Sequence, residues 1–190
     1  MPEYRRAIIP GGTFFITLVT FNRRRLLNDP ANVERLRQAI RDVQSARPCA
    51  LDAGVVLPDH AHWLITLPDD DSDYSGRIAQ IKLRFTQALP EELRNSSPNA
   101  SRARRREAGV WQRRFWEHVV RDEEDRNRLL DYIHYNPVKH GYARCPHAWP
   151  HSSFATYVGR KAYDSDWCCC CGGRTVVPPK FEGMEAITGE

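Results

Sequence analysis

Residues 51–68 read LDAGVVLPDHAHWLITLP, and this stretch decides the fold. Leu51 to Leu57 and His60 to Leu67 are two short apolar runs with Pro58-Asp59 between them. Proline and aspartate end a strand and favour a tight turn, so the stretch is predicted to be a hairpin. Side chains alternate between the faces of a strand. His60 and His62 therefore face one way, about 7 Å apart by the rise per residue. Ala61, Trp63 and Ile65 face the other way. Two imidazoles projecting together from a rigid strand can chelate one divalent ion. Two surface histidines on a sheet account for the same letters, and the strand alone does not separate the readings.

Upstream, Thr13 to Phe21 (TFFITLVTF) is β-branched and aromatic and reads as a strand. Asp29-Pro30 supplies an N-cap and a proline at the first helical position. Val33, Leu36, Ile40 and Val43 follow at helical spacing, predicting an amphipathic helix over 30–46 that Pro48 stops. Downstream, Asp69, Asp70, Asp71 and Asp73 read as a solvated loop capping the next helix rather than as a metal site. That helix, about 75–88, turns Ile78, Ile81 and Phe85 inward and shows Arg77, Lys82 and Arg84 on its other side. Residues 90–108, rich in Pro, Asn, Ser and Arg, read as a loose basic loop. Trp111 to Arg121 (WQRRFWEHVVR) is a fourth strand candidate, and Glu123 to Tyr135 a helix that Pro137 terminates.

The order is βαββαβ followed by one more helix. This predicts an α+β fold, a ferredoxin-like or RRM-like four-stranded antiparallel sheet with two helices on one face. The other face is expected to stand open, with the extra C-terminal helix near it. Residues 1–158 form the expected domain. Residues 159–190, with few apolar positions at any period, are expected to be a tail, flexible or packed on the surface.

The bulk numbers are those of a globular chain. With 190 residues it is long enough for one good core. Hydrophobic residues make up 41% and charged residues 27%, and the net charge is only +4. The total does not announce a nucleic-acid binder, but arginine clusters at 5–6, 23–25, 104–106 and 113–114. The guanidinium fork suits phosphate oxygens, although any one cluster is equally a solvated loop. The opening MPEYRRAIIPGG is charged and then broken by proline and glycine, unlike a secretory signal. No apolar run approaches the ~20 residues needed to cross a bilayer. A soluble cytoplasmic protein without a membrane partner is expected. The six cysteines stand at 49, 145 and 168–171. Four in a row are neither a disulfide framework nor a CxxC zinc spacing, so a reduced tail is expected and a zinc protein built on the run fails on spacing.

The second chemical element is DYIHYNP, 131–137. Tyr132 and Asn136 are four apart and share one helix face, so the Asn136 amide could complete a site begun by the histidines, with the tyrosine beside it. Taken alone, Tyr132 is better explained as an ordinary core tyrosine next to Leu129, and Tyr135 is a rival nucleophile.

VVLPDHAHWLITLP (55–68), WQRRFWEHVVRDEEDRNRLLDYIHYNPVKHG (111–141) and the opening YRR…GGTFFITLVTFNRR (4–24) together resemble the REP-associated tyrosine transposases. These are relatives of single-tyrosine insertion-sequence transposases within the HUH endonuclease superfamily, named for two histidines flanking a hydrophobic residue, here Ala61. The resemblance covers about 4–158. The 90–108 loop is longer than the family leads one to expect, and the four-cysteine run is not part of its pattern.

The resemblance implies roles. His60 and His62 match the metal-binding pair, Asn136 the third ligand and Tyr132 the nucleophile, with magnesium or manganese as the ion. The implied partner is a single-stranded REP hairpin with a guide tetranucleotide at its foot, cleaved beside the hairpin by a monomer with Tyr132 acting in cis. Tyr4, Arg5 and Arg6 match the segment that reads the tetranucleotide. Arg24, Lys82, Arg113, Arg114, Phe115, Trp116, Lys139 and His140 join them as DNA-binding candidates, with Trp111, Phe115 and Trp116 offered to unstacked bases. For Phe115 and Trp116, core packing is an equal alternative. No nucleotide cofactor is implied, in keeping with the absence of a GxxxxGK[ST] loop. The competitors are another HUH enzyme, such as a relaxase or replication initiator, and a non-catalytic single-strand binder on the same scaffold. The short chain speaks against the first and Tyr132 against the second.

Overall fold

A computed structural model describes residues 6–94, 109–171, 178–181, 183–184 and 188. Tyr4, Arg5 and most of the 90–108 loop lie outside the described residues; within that loop Glu91–Arg94 form a helical turn, α3. The strands are β1 (Thr13–Val19), β2 (Ala50–Val56), β3 (His60–Thr66) and β4 (Trp116–Val119). The main helices are α1 (Pro30–Ala46), α2 (Tyr74–Ala88) and α4 (Glu123–Lys139), with a short α5 (Phe154–Gly159). The four strands form one antiparallel sheet in the order β2-β3-β1-β4.

Helix starts follow the predicted chemistry. The Asp29 side chain accepts from Ala31 N with Pro30 at the first helical position. Asp73, from the acidic run, accepts from Gly76 N at the start of α2. A Cβ at residue 76 would push aside the Asp73 carboxylate of that cap and the Arg47 guanidinium.

On one face, Phe14, Ile16, Leu18, Ala61, Trp63 and Ile65 pack against Leu36, Ile40 and Val43 of α1 and Ile78, Ile81 and Phe85 of α2. The alternation read from β3 is therefore correct. Arg77 is not on the outer side of α2: it is buried, and its guanidinium donates to the carbonyls of Arg47, Pro48 and Asp73 and to the Asp71 carboxylate at 2.6 Å. A buried charge persists only when so fully satisfied.

The opposite face is not open. Phe15, Val55, Leu57 and Leu64 pack there against Leu129, Leu130, Tyr132 and Ile133 of α4 and against Tyr157 and Met184. Trp149 packs on this cluster as well, and its indole Nε1 donates to Val56 O at 2.9 Å. Residues beyond 158, read from the sequence as a tail, contribute Tyr163, Phe181 and Met184 to this second core. The Tyr163 hydroxyl donates to Asp131 at 2.6 Å.

Two boundaries differ from expectation. β4 is only four residues long, and Trp111 makes an isolated bridge to Thr20 and packs against Phe85 inside the core instead of opening a strand. Pro137 does not end α4, which runs on to Lys139. Proline so near the end removes one helical hydrogen bond, and its carbonyl is taken up by the Tyr142 and Ala143 amides. Among the described residues no helix is long and apolar enough to cross a membrane.

Candidate active site

β3 presents His60 and His62 on the face covered by α4, both fully buried. Their ring centroids are 5.1 Å apart. Neighbours hold both rings by Nδ1. His60 Nδ1 donates to the Asp59 carboxylate at 2.6 Å, and His62 Nδ1 lies 3.0 Å from the hydroxyl of Thr17, its cross-strand partner on β1. Both contacts direct Nε2 away from the anchoring group, the arrangement in which a second partner fixes a ligand's orientation. Burial pushes the Asp59 carboxyl up, but the His60 hydrogen bond and the charges of His60 and Arg23 outweigh it and hold the carboxyl below its usual range. Asp59 and Thr17 escape a reading of the sequence; the only signal is Asp59's place beside the first histidine.

α4 enters over this face through a tight anchor. Its N-cap Asp122 accepts from Asp125 N, and the buried Asp125 carboxylate binds His118 Nε2 of β4 at 2.7 Å and Arg121 at 3.3 Å. So held, the helix places the Tyr132 ring 5.3 Å from His62 and 6.0 Å from Phe15. Lys139 Nζ, two turns on, donates to the Tyr132 hydroxyl at 2.9 Å. That hydroxyl also lies 3.3 Å from Thr188 Oγ1, while Phe181 stands edge-on to the ring at 5.3 Å. Tyr132 is wholly buried as a result. Asn136, one turn beyond Tyr132, is buried too, and neither polar atom of its amide has a hydrogen-bond partner among the described residues. The cost of such an orphan is about 1–3 kcal/mol, which makes the amide a candidate ligand. The rival Tyr135 faces Trp167 and Phe181 instead.

The DNA-binding candidates separate into two groups. His140 lies near His60, with ring centroids 5.1 Å apart, and Lys139 is at Tyr132. Trp116 pairs with Thr17 in the sheet, hence lies on the histidine face, and is 50% exposed. Arg113 and Arg114 beside it are exposed. The others are engaged within the fold. Phe115 packs against the α1–α2 core with Arg6 over its ring at 3.8 Å, and Arg6 also meets Glu117. Arg24 donates to the carbonyls of Leu93 and Gly109, and Lys82 to those of Gln112 and Arg113.

Comparison with known proteins gives the family. The family model described as "Transposase IS200 like" matches residues 12–136. The chain belongs to that family. Within it, the chain is 42% identical over 167 residues to the REP-associated tyrosine transposase of Escherichia coli K12, covering 88% of this chain and 91% of the relative. A Haemophilus influenzae protein under the same REP-associated tyrosine transposase designation is 44% identical over 168 residues, covering 88% and 93%. Among solved structures, a REP-associated tyrosine transposase bound to a REP hairpin superposes with a TM-score of 0.74 at 38% identity, covering 95% of this chain and 98% of that one.

Proposed function

We propose that this protein is a metal-dependent endonuclease and strand transferase acting on single-stranded REP hairpins, with Tyr132 as nucleophile and a 5′-phosphotyrosine intermediate. One observation carries the reading: a rigid strand and an anchored helix bring His60, His62 and Tyr132 together in the interior, with Asn136 buried one turn further along the helix. The scaffold is read as ferredoxin-like, with the tyrosine on the helix that follows the βαββαβ unit. A similar protein solved bound to a REP hairpin, and a relative named REP-associated, support the choice of substrate.

The donor set fits a divalent ion. The orphaned Asn136 amide offers an oxygen, and the two imidazoles offer Nε2 because Asp59 and Thr17 occupy Nδ1. The amide oxygen is a donor type that suits magnesium or manganese, and the two imidazoles, softer donors, favour manganese of the two. Bound there, the ion would polarise a phosphoryl oxygen and offset its developing charge. The chain's own residues do the rest. The Lys139 ammonium at the Tyr132 hydroxyl stabilises the phenolate that must form. Phenolate attack on phosphorus forms the Tyr132–phosphate bond and releases a 3′-hydroxyl, and attack by another 3′-hydroxyl reverses it. The bond energy stays in the linkage, so no nucleotide cofactor is needed.

Phe181, Thr188 and Lys139 all lie against Tyr132, so its hydroxyl must be uncovered for DNA to reach it. The covered sheet moves base stacking to the rim, where Trp116 is exposed beside Arg113 and Arg114. Tyr4 and Arg5, with Arg6, remain the candidates for reading a guide tetranucleotide. A DNA substrate is in keeping with a cytoplasmic enzyme acting as a monomer.

Incubation with labelled REP-type single strands and manganese tests this. A covalent protein–DNA adduct on a denaturing gel is expected from the hairpin with single-stranded flanks and not from the same sequence as a duplex. Equal cleavage of the two substrates, or an adduct formed equally in EDTA, would overturn it.

A further inference from the structure

Away from the histidine pair, the cysteines gather. Cys145 and Cys169 are joined as a disulfide. A disulfide needs two sulfurs, and the cluster holds more. Cys171 Sγ lies 2.9 Å from Cys145 Sγ. The ligand atoms of Cys145, His147, Cys169 and Cys171 all lie within 4.8 Å of one another. We propose that these four residues form a Cys3His zinc site in the reduced protein. The short turn Pro146–Ala148 presents Cys145 and His147 as C-x-H, and the cysteine run presents its alternate members as C-x-C.

The spacing that excluded zinc from the run alone is thus supplied from two places in the chain. Within the run the members divide. Cys169 and Cys171 point into the cluster, while Cys170 donates its thiol to Arg144 O outside it. Cys168 is not in the cluster. The Cys171 amide donates to Cys169 Sγ at 3.4 Å, the kind of contact that stabilises a thiolate ligand. Three sulfurs and an imidazole are a soft set, suited to zinc and ill-suited to magnesium. Tetrahedral bonds of about 2.3 Å place sulfurs roughly 3.8 Å apart, so the cluster needs only small adjustments to close on an ion.

The chemistry balances. A dithiol reductant gives two electrons and two protons to the Cys145–Cys169 bond and becomes a disulfide itself. Zinc then replaces the three thiol protons and accepts the neutral His147 nitrogen. The site would clasp residues 169–171 to the chain just beyond α4.

The test uses the full chain, reduced with a dithiol, loaded with zinc and desalted for elemental analysis. In a His60→Ala/His62→Ala background, which removes the other candidate metal site and in which every variant below is also made, the otherwise wild-type chain and Cys170→Ser are expected to keep one zinc per chain. Cys171→Ser and His147→Ala, both at exposed positions, are expected to weaken zinc by more than about 100-fold. Cobalt in place of zinc should give a thiolate charge-transfer band in wild type, a reading that depends on no variant. Loss of zinc from the His60→Ala/His62→Ala protein, retention in Cys171→Ser, or no cobalt–thiolate band in the reduced wild type would each overturn the proposal. None of these outcomes bears on cleavage, so the nuclease reading stands or falls separately.

Discussion

The two faces of one sheet are used differently. Toward α1 and α2 the strands send Phe14, Ile16, Leu18, Trp63 and Ile65, and the layer is almost wholly apolar. Toward α4 the same strands send Phe15, Thr17, His60, His62 and Leu64, and the layer buries polar groups held by hydrogen bonds from neighbouring side chains. Apolar burial is favourable wherever it occurs, so the first face supplies stability. The second face keeps an orphaned amide at Asn136 and a pair of imidazoles in the interior, a cost that the first face must offset. Adjacent residues such as His62 and Trp63 thus have opposite duties, and substitutions can separate them.

The sharpest separation is expected at Tyr132. Tyr132→Phe keeps the ring packed against His62 and Phe15 and removes only the hydroxyl. Cleavage and adduct formation should fall by more than about a thousandfold, with hairpin binding retained in a gel-shift assay. A Phe variant that still forms the adduct would move the nucleophile to Tyr135.

Next in size is Trp63→Ala, which empties a large buried position between α1 and α2. It should cost about 3–5 kcal/mol in denaturant unfolding. Its neighbour His62→Ala should cost less stability and abolish metal-dependent cleavage. Equal destabilisation by the two would erase the distinction between the faces.

A smaller effect is expected from Asp59→Asn, which leaves His60 in place but removes the carboxylate on its Nδ1. Manganese titration of cleavage should show about 10–100-fold weaker metal dependence. An unchanged titration curve would mean that Asp59 does not orient the ligand.

The smallest effect lies beside the apolar face. The Arg77 hydrogen bond, helped by the Asp73 amide, lowers the Asp71 carboxyl from 3.8 to about 2. A carboxyl lowered in the folded state contributes stability in full above its unfolded value and loses it as pH falls through the folded one. Wild type should therefore lose stability between about pH 4 and pH 2, the window set by those two values. Asp71→Asn should flatten that stretch of the unfolding curve. Parallel curves would show the ion pair to be worth nothing.

Much of the site is legible in the sequence because it lies in short-range patterns. The period of two sets His60 and His62 on one face, and the spacing of four puts Tyr132 and Asn136 on one side of a helix. The acidic run is readable as a cap because Asp73 needs only the amide three residues on. The open face is a misreading, although β1 carries the warning. TFFITLV is apolar at nearly every position and buried throughout its interior, the signature of a strand covered on both sides. Arg77 escapes placement because two of its four partners are backbone carbonyls 29 and 30 residues away, which no periodicity encodes.

The sequence by itself determined the elements, the strand face that carries the histidines and the helix that carries the tyrosine, because dihedral periodicity and capping act over a few residues. Only the tertiary structure decided that α4 lies over that face, that Asp59 and Thr17 aim the imidazoles, and that Phe181 and Thr188 cover Tyr132. It also decided that Cys145 and His147 meet the cysteine run. Contacts between residues 24 to 56 positions apart depend on how helices dock on the sheet. Docking is fixed by the summed burial of many side chains rather than by any local pattern.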